Sequence, residues 1–389
     1  MHSFLEQNIV PHFQPIICID NGSIFGYELL GRLLNPLGPQ SLGPFFHDSH
    51  VSPDDKISVD RVIRRKALEK VSDNNCRESL FINIQPQWLY PFLNNGRRYP
   101  TLEYLKEYGL DPGKITIEIC EADFSLDLTT LNELIYRYKD AGCRIAIDDL
   151  GKGFSNLDRI IHLNPDYLKI DAGITRNSPD NELPFIVMET LGLLSQKMGV
   201  NLVLEGVETR EQFQQGLRAG VRYFQGYFFA HPSSCFLRPD SFTRLIEAEL
   251  NQYHRSEVCC RENLANFCAQ LEARVKKVPF SPDLIEYVYA LMKTATSDWN
   301  KIYICDFQGF QQTPNYMQRT PGSWEIHEEY LSRNWCWRPY FLPYVTDSIR
   351  YRRGVLSAPY NDLETQYKIW TFVYPLKNNF FLFIDCKYN

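Results

Sequence analysis

At 389 residues the chain exceeds one ordinary core and suits two domains, one of which has room for a barrel of about 250 residues. The net charge of −6 excludes the clustered basic surface that sequence-independent binding to polymeric nucleic acid requires, and the short basic runs Arg64–Lys66 and Arg350–Arg353 read as solvated faces. No stretch reaches the roughly 18 apolar residues of a membrane helix and no signal-peptide pattern opens the chain, so a cytoplasmic protein without a membrane partner is expected.

From residue 13 to about 250, short β-branched or aromatic runs alternate with longer segments of helical period. That is the pattern of a parallel sheet with crossover helices. Strands are predicted at Phe13–Cys18, Ile24–Arg32, Leu80–Ile84, Ile115–Cys120, Arg144–Leu150, Tyr167–Ile170, Asn201–Val207 and Tyr223–Phe229, enough to close a barrel. Helices are predicted at Asp60–Val71, Leu131–Ala141, Leu183–Met198 and Arg210–Leu217, with Gly142, Gly199 and Gly220 at C-terminal cap positions. A helical bridge runs from about Ala248 to Lys293, and beyond it aromatic-rich strands at Lys301–Phe307, Trp370–Pro375 and Phe380–Cys386 predict a small antiparallel sheet. The expected domains are 1–255, a helical linker 256–295, and 296–389. The eleven cysteines are odd in number, lack a Cys-x-x-Cys spacing and include the adjacent pair Cys259-Cys260, so they read as free thiols.

The informative feature is where polar residues interrupt the apolar strands. Glu28, Asn83, Glu118, Asp148, Asp149, Lys169, Glu205 and Gln225 recur at or near strand C-terminal ends, with Glu121 just after one of them. In a barrel these ends share one mouth, where active sites are built. Two carboxylates about 4 Å apart repel by about 4 kcal/mol at an effective dielectric of about 20, so several of them need protons or cations. An oxygen-only ligand set selects hard ions such as Mg²⁺ or Mn²⁺, and the adjacent Asp148-Asp149 suits two bridged ions acting on a phosphodiester. Lys169 reads either as a counter-ion for Asp166 or Asp171, or as a group that orients and deprotonates an attacking water or offsets phosphoryl charge.

These residues resemble the EAL family of cyclic di-GMP phosphodiesterases over residues 10–245 or so, in the family's order. The motifs stand as Glu28-Leu29-Leu30-Gly31-Arg32, Asn83, Glu118-Ile119-Cys120-Glu121, Asp148-Asp149-Leu150-Gly151-Lys152-Gly153-Phe154-Ser155-Asn156-Leu157, Lys169-Ile170-Asp171, Glu205-Gly206-Val207-Glu208 and Gln225-Gly226-Tyr227. The resemblance implies a modified TIM-type (β/α) barrel in which Glu28, Asn83, Glu118, Asp148, Asp149 and Glu205 hold two Mg²⁺ or Mn²⁺ ions, with Ca²⁺ inhibitory. It further implies that Lys169 assists the water, that Glu205 is catalytic as well as a metal ligand, that Glu121 pins the loop after Asp149, and that Arg32, Gln14 and Gln225 contact the substrate. The implied reaction is hydrolysis of cyclic di-GMP to linear pGpG, with a receptor that binds without turnover as the alternative, and a homodimer as the assembly. Leu29 replaces the motif's middle Ala, and Leu150, Lys152 and Asn156 replace the usual Phe, Thr and Ser of a loop that in the family couples the metal site to dimerisation.

The C-terminal region, through Trp335-Cys336-Trp337-Arg338-Pro339-Tyr340 and Ser357-Ala358-Pro359-Tyr360-Asn361-Asp362, resembles the small α+β, PAS-like or Cache-like sensor domain found behind some EAL domains. Two readings stand for it. Arg338, Tyr360 and Asp362 bind a small polar ligand, or Trp335, Trp337 and Tyr340 are core aromatics with Arg338 stacked on them.

Overall fold

The computed structural model describes residues 7–92, 99–120, 128–150, 162–175 and 183–388. Contacts divide the chain into two compact units, Met1–Tyr253 and His254–Asn389.

In the first unit, β1 (Ile9–Cys18) and β2 (Ser23–Asn35) form an antiparallel hairpin, and the short β3 (Gly38–Ser41) folds back on β2. Helix α1 (Gly43–His47) and the long α2 (Pro53–Asp73) follow, then β4 (Ser79–Asn83), a 3-10 turn at Pro86–Phe92, α3 (Pro100–Glu107), β5 (Ile115–Cys120), α4 (Leu128–Asp140) and β6 (Arg144–Leu150). The remainder is β7 (Tyr167–Asp171), α5 (Leu183–Met198), β8 (Asn201–Glu205), α6 (Arg210–Arg218) and β9 (Tyr223–Phe224). Strands β2, β4, β5, β6, β7, β8 and β9 pair in parallel, and β1 closes the barrel by pairing antiparallel with both β2 and β9. The predicted eight-stranded barrel is therefore present. Its antiparallel first strand is what modifies the plain (β/α) pattern.

The glycines after helices α4, α5 and α6 do sit at positive φ, with Gly142 at 96°, Gly199 at 71° and Gly220 at 78°, where an L side chain is strained. Two of the bounds that differ from expectation have a clear local cause. Helix α2 starts at Pro53 rather than Asp60, because Ser52 caps it by accepting from Asp55 N at 3.1 Å and Pro53 has the fixed φ favoured at a first turn. Strand β9 ends at Phe224 rather than Phe229, because Val207 N donates to Gln225 O and Phe228 N donates to Val207 O, folding that segment back on the loop after β8.

Helix α7 (Thr243–Lys276) runs from the first unit into the second, and α8 (Leu284–Met292) is capped by Asp283. The second unit is an antiparallel sheet of β10 (Trp299–Asp306), β11 (Asn315–Thr320), β12 (Ser323–His327), β13 (Val355–Leu356), β14 (Tyr360–Asn361), β15 (Lys368–Pro375) and β16 (Phe380–Lys387), with α9 (Phe341–Tyr351) before β13. Alternation along β10 sends Ile302 and Ile304 to a core shared with α8 and the end of α7, and Tyr303 and Cys305 to a core shared with α9. All eleven cysteines are free thiols. Among the described residues no helix is long and apolar enough to cross a membrane.

Candidate active site

Side chains inside a barrel alternate with those outside, so residues two apart on a strand occupy successive interior layers. The lower layer here is apolar, with Ile16, Phe81, Ala146, Tyr167, Val203 and Tyr223 in one buried cluster. Two residues further on stand Asn83, Asp148, Lys169, Glu205 and Gln225, and the antiparallel β1 contributes Gln14 two residues before Ile16. Glu28 pairs with Gln14 across the hairpin, and Glu118 lies two residues beyond the fully buried Thr116. One complete layer of the barrel interior is thus polar.

Its members touch around the ring. Gln225 Nε2 donates to Gln14 Oε1 at 3.1 Å and to Glu28 Oε2 at 2.5 Å, while Asn83 Nδ2 donates to Glu28 Oε1 at 3.1 Å and Glu118 Oε2 at 2.9 Å. Lys169 forms close ion pairs with Glu118 and Glu205 and lies 3.8 Å from Asp148. Its partners are therefore these carboxylates across the barrel, and the sequence neighbours Asp166 and Asp171 are not its ion-pair partners among the described residues.

Asp148 and Asp149 are consecutive, and in a regular strand only one of them would face the mouth. A β-bulge resolves this: Ile147 pairs with Leu168 and Leu150 with Ile170, leaving both aspartates opposite Lys169 alone. Asp149 takes a left-handed conformation at φ 60°, tolerated best by Asn, Asp and Gly, and its N–H donates to Asp148 Oδ1 at 2.7 Å. Both aspartates line a cavity of about 440 Å³ together with Asn83, Arg32 and Cys120.

Burial drives the electrostatics. It raises the Glu118 carboxyl well above its usual range, against the opposing pull of Lys169 and with help from Glu28 and Asp148. Asp148 is raised for the same reason, with Glu28 and Asp149 adding repulsion. Desolvation alone would lower Lys169, but Asp148, Glu118 and Glu28 outweigh it and hold the ammonium charged above its ordinary value. Four carboxylates of the layer thus share one ammonium.

The donor set fits a hard divalent ion. All the candidate donors are oxygens, and beside them the buried Gln225 Oε1 accepts no hydrogen bond among the described residues, while Glu118 Oε1 and Glu205 Oε1 face the Lys169 ammonium. No group of three His, Cys, Asp or Glu side chains among the described residues is already drawn into a metal shell, since Glu118 and Glu205 turn to the Lys169 ammonium.

Gln14, Glu28, Asn83, Glu118, Asp148, Asp149, Lys169, Glu205 and Gln225 are therefore brought to one mouth, and Arg32 lines the adjoining cavity, its guanidinium donating to Gly31 O at 3.0 Å. Glu121, Lys152 and Asn156 lie outside the described residues. The sequence reading passed over the cavity residues Phe46, Trp88 and Cys120. Cys120 follows Glu118 by two, which period-two counting would have placed at the same rim; Phe46 lies on the five-residue helix α1 and Trp88 on a 3-10 turn, both too short for a periodic signal.

The EAL domain profile matches residues 1–232, and that of an EAL-domain associated signalling protein domain matches residues 236–389. The chain belongs to the EAL family. It is 35% identical to an uncharacterised EAL-domain containing protein, YkuI, of Bacillus subtilis over 98% of this chain and 95% of that one. The crystal structure of YkuI in complex with substrate c-di-GMP and calcium superposes with a TM-score of 0.90 at 34% identity, covering 99% of this chain and 97% of the other. The cyclic di-GMP phosphodiesterase RocR of Pseudomonas aeruginosa is 29% identical over 57% of this chain and 56% of its own length. A standalone EAL protein from Vibrio cholerae in its c-di-GMP-bound form is 30% identical over 58% of this chain and 92% of that one, with a TM-score of 0.50.

Proposed function

We propose that this EAL protein hydrolyses cyclic di-GMP to linear pGpG at the polar mouth of the barrel. The observation that carries the reading is the unbroken polar layer, one residue from or beside each barrel strand, with the Asp148-Asp149 bulge facing it. The relatives support the choice of substrate: RocR is a cyclic di-GMP phosphodiesterase, and YkuI was crystallised with c-di-GMP.

Glu28, Asn83, Glu118, Asp148, Asp149 and Glu205 would hold two divalent ions, Mg²⁺ or Mn²⁺. Bound there, such ions lower the pKa of a water nucleophile and offset charge on the phosphoryl oxygens. Gln225 and Asn83 fix the Glu28 carboxylate from two sides, so its orientation is set before any ligand arrives. Lys169, held protonated by its neighbours, orients the water and faces the developing phosphoryl charge as a fixed cation. Arg32 is placed in the cavity to meet a substrate phosphate, and Gln14 to meet a base edge. The C-terminal unit is a regulatory domain in this reading, with Arg338, Tyr360 and Asp362 as its candidate ligand contacts.

Purified full-length protein in Mg²⁺ or Mn²⁺ should convert cyclic di-GMP to pGpG, resolved by chromatography, and Ca²⁺ should inhibit. Tight binding with the nucleotide unchanged after prolonged incubation would instead favour the receptor, the reading to which the substitutions Leu150, Lys152 and Asn156 point. Neither binding nor turnover would overturn both.

A further inference from the structure

The cavity that receives Asp148 and Asp149 has an aromatic wall as well as an acidic one. Trp88 and Phe46 both line it, their ring centroids 6.2 Å apart and their planes inclined at 41°. Phe46 packs against the barrel core, but Trp88 is not among the described side chains that do, and its indole remains half-buried. Leaving so large an apolar ring uncommitted forgoes burial worth keeping unless something else covers it. Trp88 is tied to the polar layer through the chain itself: it lies five residues after Asn83 in the turn that leaves β4, with its N–H donating to Gln85 O at 3.0 Å. Leu29, Leu30 and Leu42 supply aliphatic lining to the same cavity.

We infer that Trp88, backed by Phe46, is the surface on which one purine base of the cyclic dinucleotide stacks while its phosphodiester is held at the polar layer. This rests on the proposed function and adds the residue that positions the base. A ring face recognises the π-face common to all bases, so this contact sets affinity and orientation, while base identity is read by polar groups such as Gln14. Stacking of this kind is made equally in the bound ground state and in the transition state, so it is expressed in KM and leaves kcat in place.

The test uses the full-length protein, with steady-state kinetics on cyclic di-GMP in Mn²⁺ and the dissociation constant of cyclic di-GMP measured by calorimetry in Ca²⁺. Trp88→Ala should raise both KM and Kd by roughly 5- to 150-fold, the range found for one base on an aromatic side chain, with kcat unchanged. Trp88→Phe should recover most of the loss, and Phe46→Ala should shift KM in the same direction by less, which keeps the inference testable if Trp88→Ala folds poorly. Unchanged KM and Kd in both alanine variants, beside an active or binding wild type, would overturn this inference alone, as would a loss confined to kcat. A wild type that neither binds nor cleaves cyclic di-GMP would overturn it together with the functional reading.

Discussion

The two units each bury a lysine among carboxylates, and the pair separates a site from a strut. Lys169 in the barrel meets Glu118 and Glu205, with Asp148 at 3.8 Å. Lys301 in the sheet of the second unit lies 3.3 Å from Asp385, 3.5 Å from Asp362 and 3.6 Å from Glu364. Each ammonium is held above its ordinary pKa by its acids in spite of burial. The difference is in what else the acids touch. Asp385 also accepts from Thr371 Oγ1 at 2.7 Å and Asp362 from Thr365 Oγ1 at 2.9 Å, whereas Asp148, beside Lys169, lines a cavity with Asp149 and Asn83. Buried charge alone therefore does not mark a ligand site. Acids that open onto a cavity do, as Asp148 and Asp149 of the barrel cluster do.

The largest effect should come from the barrel acids. Asp148→Ala or Glu28→Ala should lower kcat by about 10⁴-fold or to background, as loss of a central catalytic group does, without lowering the melting temperature, since each removes a crowded carboxylate. Retained turnover in either variant would move the chemistry elsewhere.

The two lysines should respond differently to metal. Removing one partner of a buried ion pair leaves uncompensated charge and costs about 3–5 kcal/mol. Lys301→Met should show that loss in denaturant unfolding with or without Mg²⁺. Lys169→Met should show it in EDTA and recover much of it in Mg²⁺, because a divalent ion replaces the missing positive charge. An equal response of both variants to Mg²⁺ would erase the distinction between site and strut. The wild type itself should gain about 2.7 kcal/mol at an ion concentration 100-fold above Kd, seen as a rise in melting temperature.

The barrel and its polar layer were legible because both are periodic. Strand β6 was read residue for residue, and Glu28, Asn83, Glu118, Asp148, Lys169 and Glu205 announced themselves as charges or amides in apolar runs. The bulge that turns Asp149 to the same mouth as Asp148 was not legible, because it depends on the pairing of β6 with β7 and on a left-handed φ. The Lys301 cluster escaped for a related reason. Lys301 on β10 and Asp385 on β16 lie more than 80 residues apart, and the cluster forms through the register that sets Lys301 and Thr371 each opposite Asp385. A lysine at an alternate position of the otherwise apolar Lys301–Cys305 run was the available signal. Of the proposed sensor residues, Tyr360 joins this network, its hydroxyl 2.7 Å from that of Thr371, and Asp362 pairs with Lys301. Arg338 stacks on Trp337 at 4.7 Å and Trp335 at 5.7 Å.

The smallest expected effect probes the strut most closely. Thr371→Val keeps the shape of the side chain and removes the hydroxyl that donates to Asp385, a bond to a charged group worth about 2 kcal/mol. Burial already raises the Asp385 carboxyl above its unfolded value, against the favourable pull of Lys301 and the Thr371 bond, so the native state binds this proton more tightly than the unfolded chain. Stability from this group therefore falls as pH rises from the unfolded carboxylate range, near 3.9, through the raised native value. Losing the hydroxyl raises the native value further and extends that fall, so the penalty of Thr371→Val should be full above the raised native value and shrink on acidification as Asp385 takes up its proton. Unfolding curves for variant and wild type across that interval would show the two stabilities converging toward low pH. A penalty that stays constant across the interval would mean that Asp385 does not titrate there, and the account of Lys301 and its acids as an internally satisfied strut would lose its electrostatic basis.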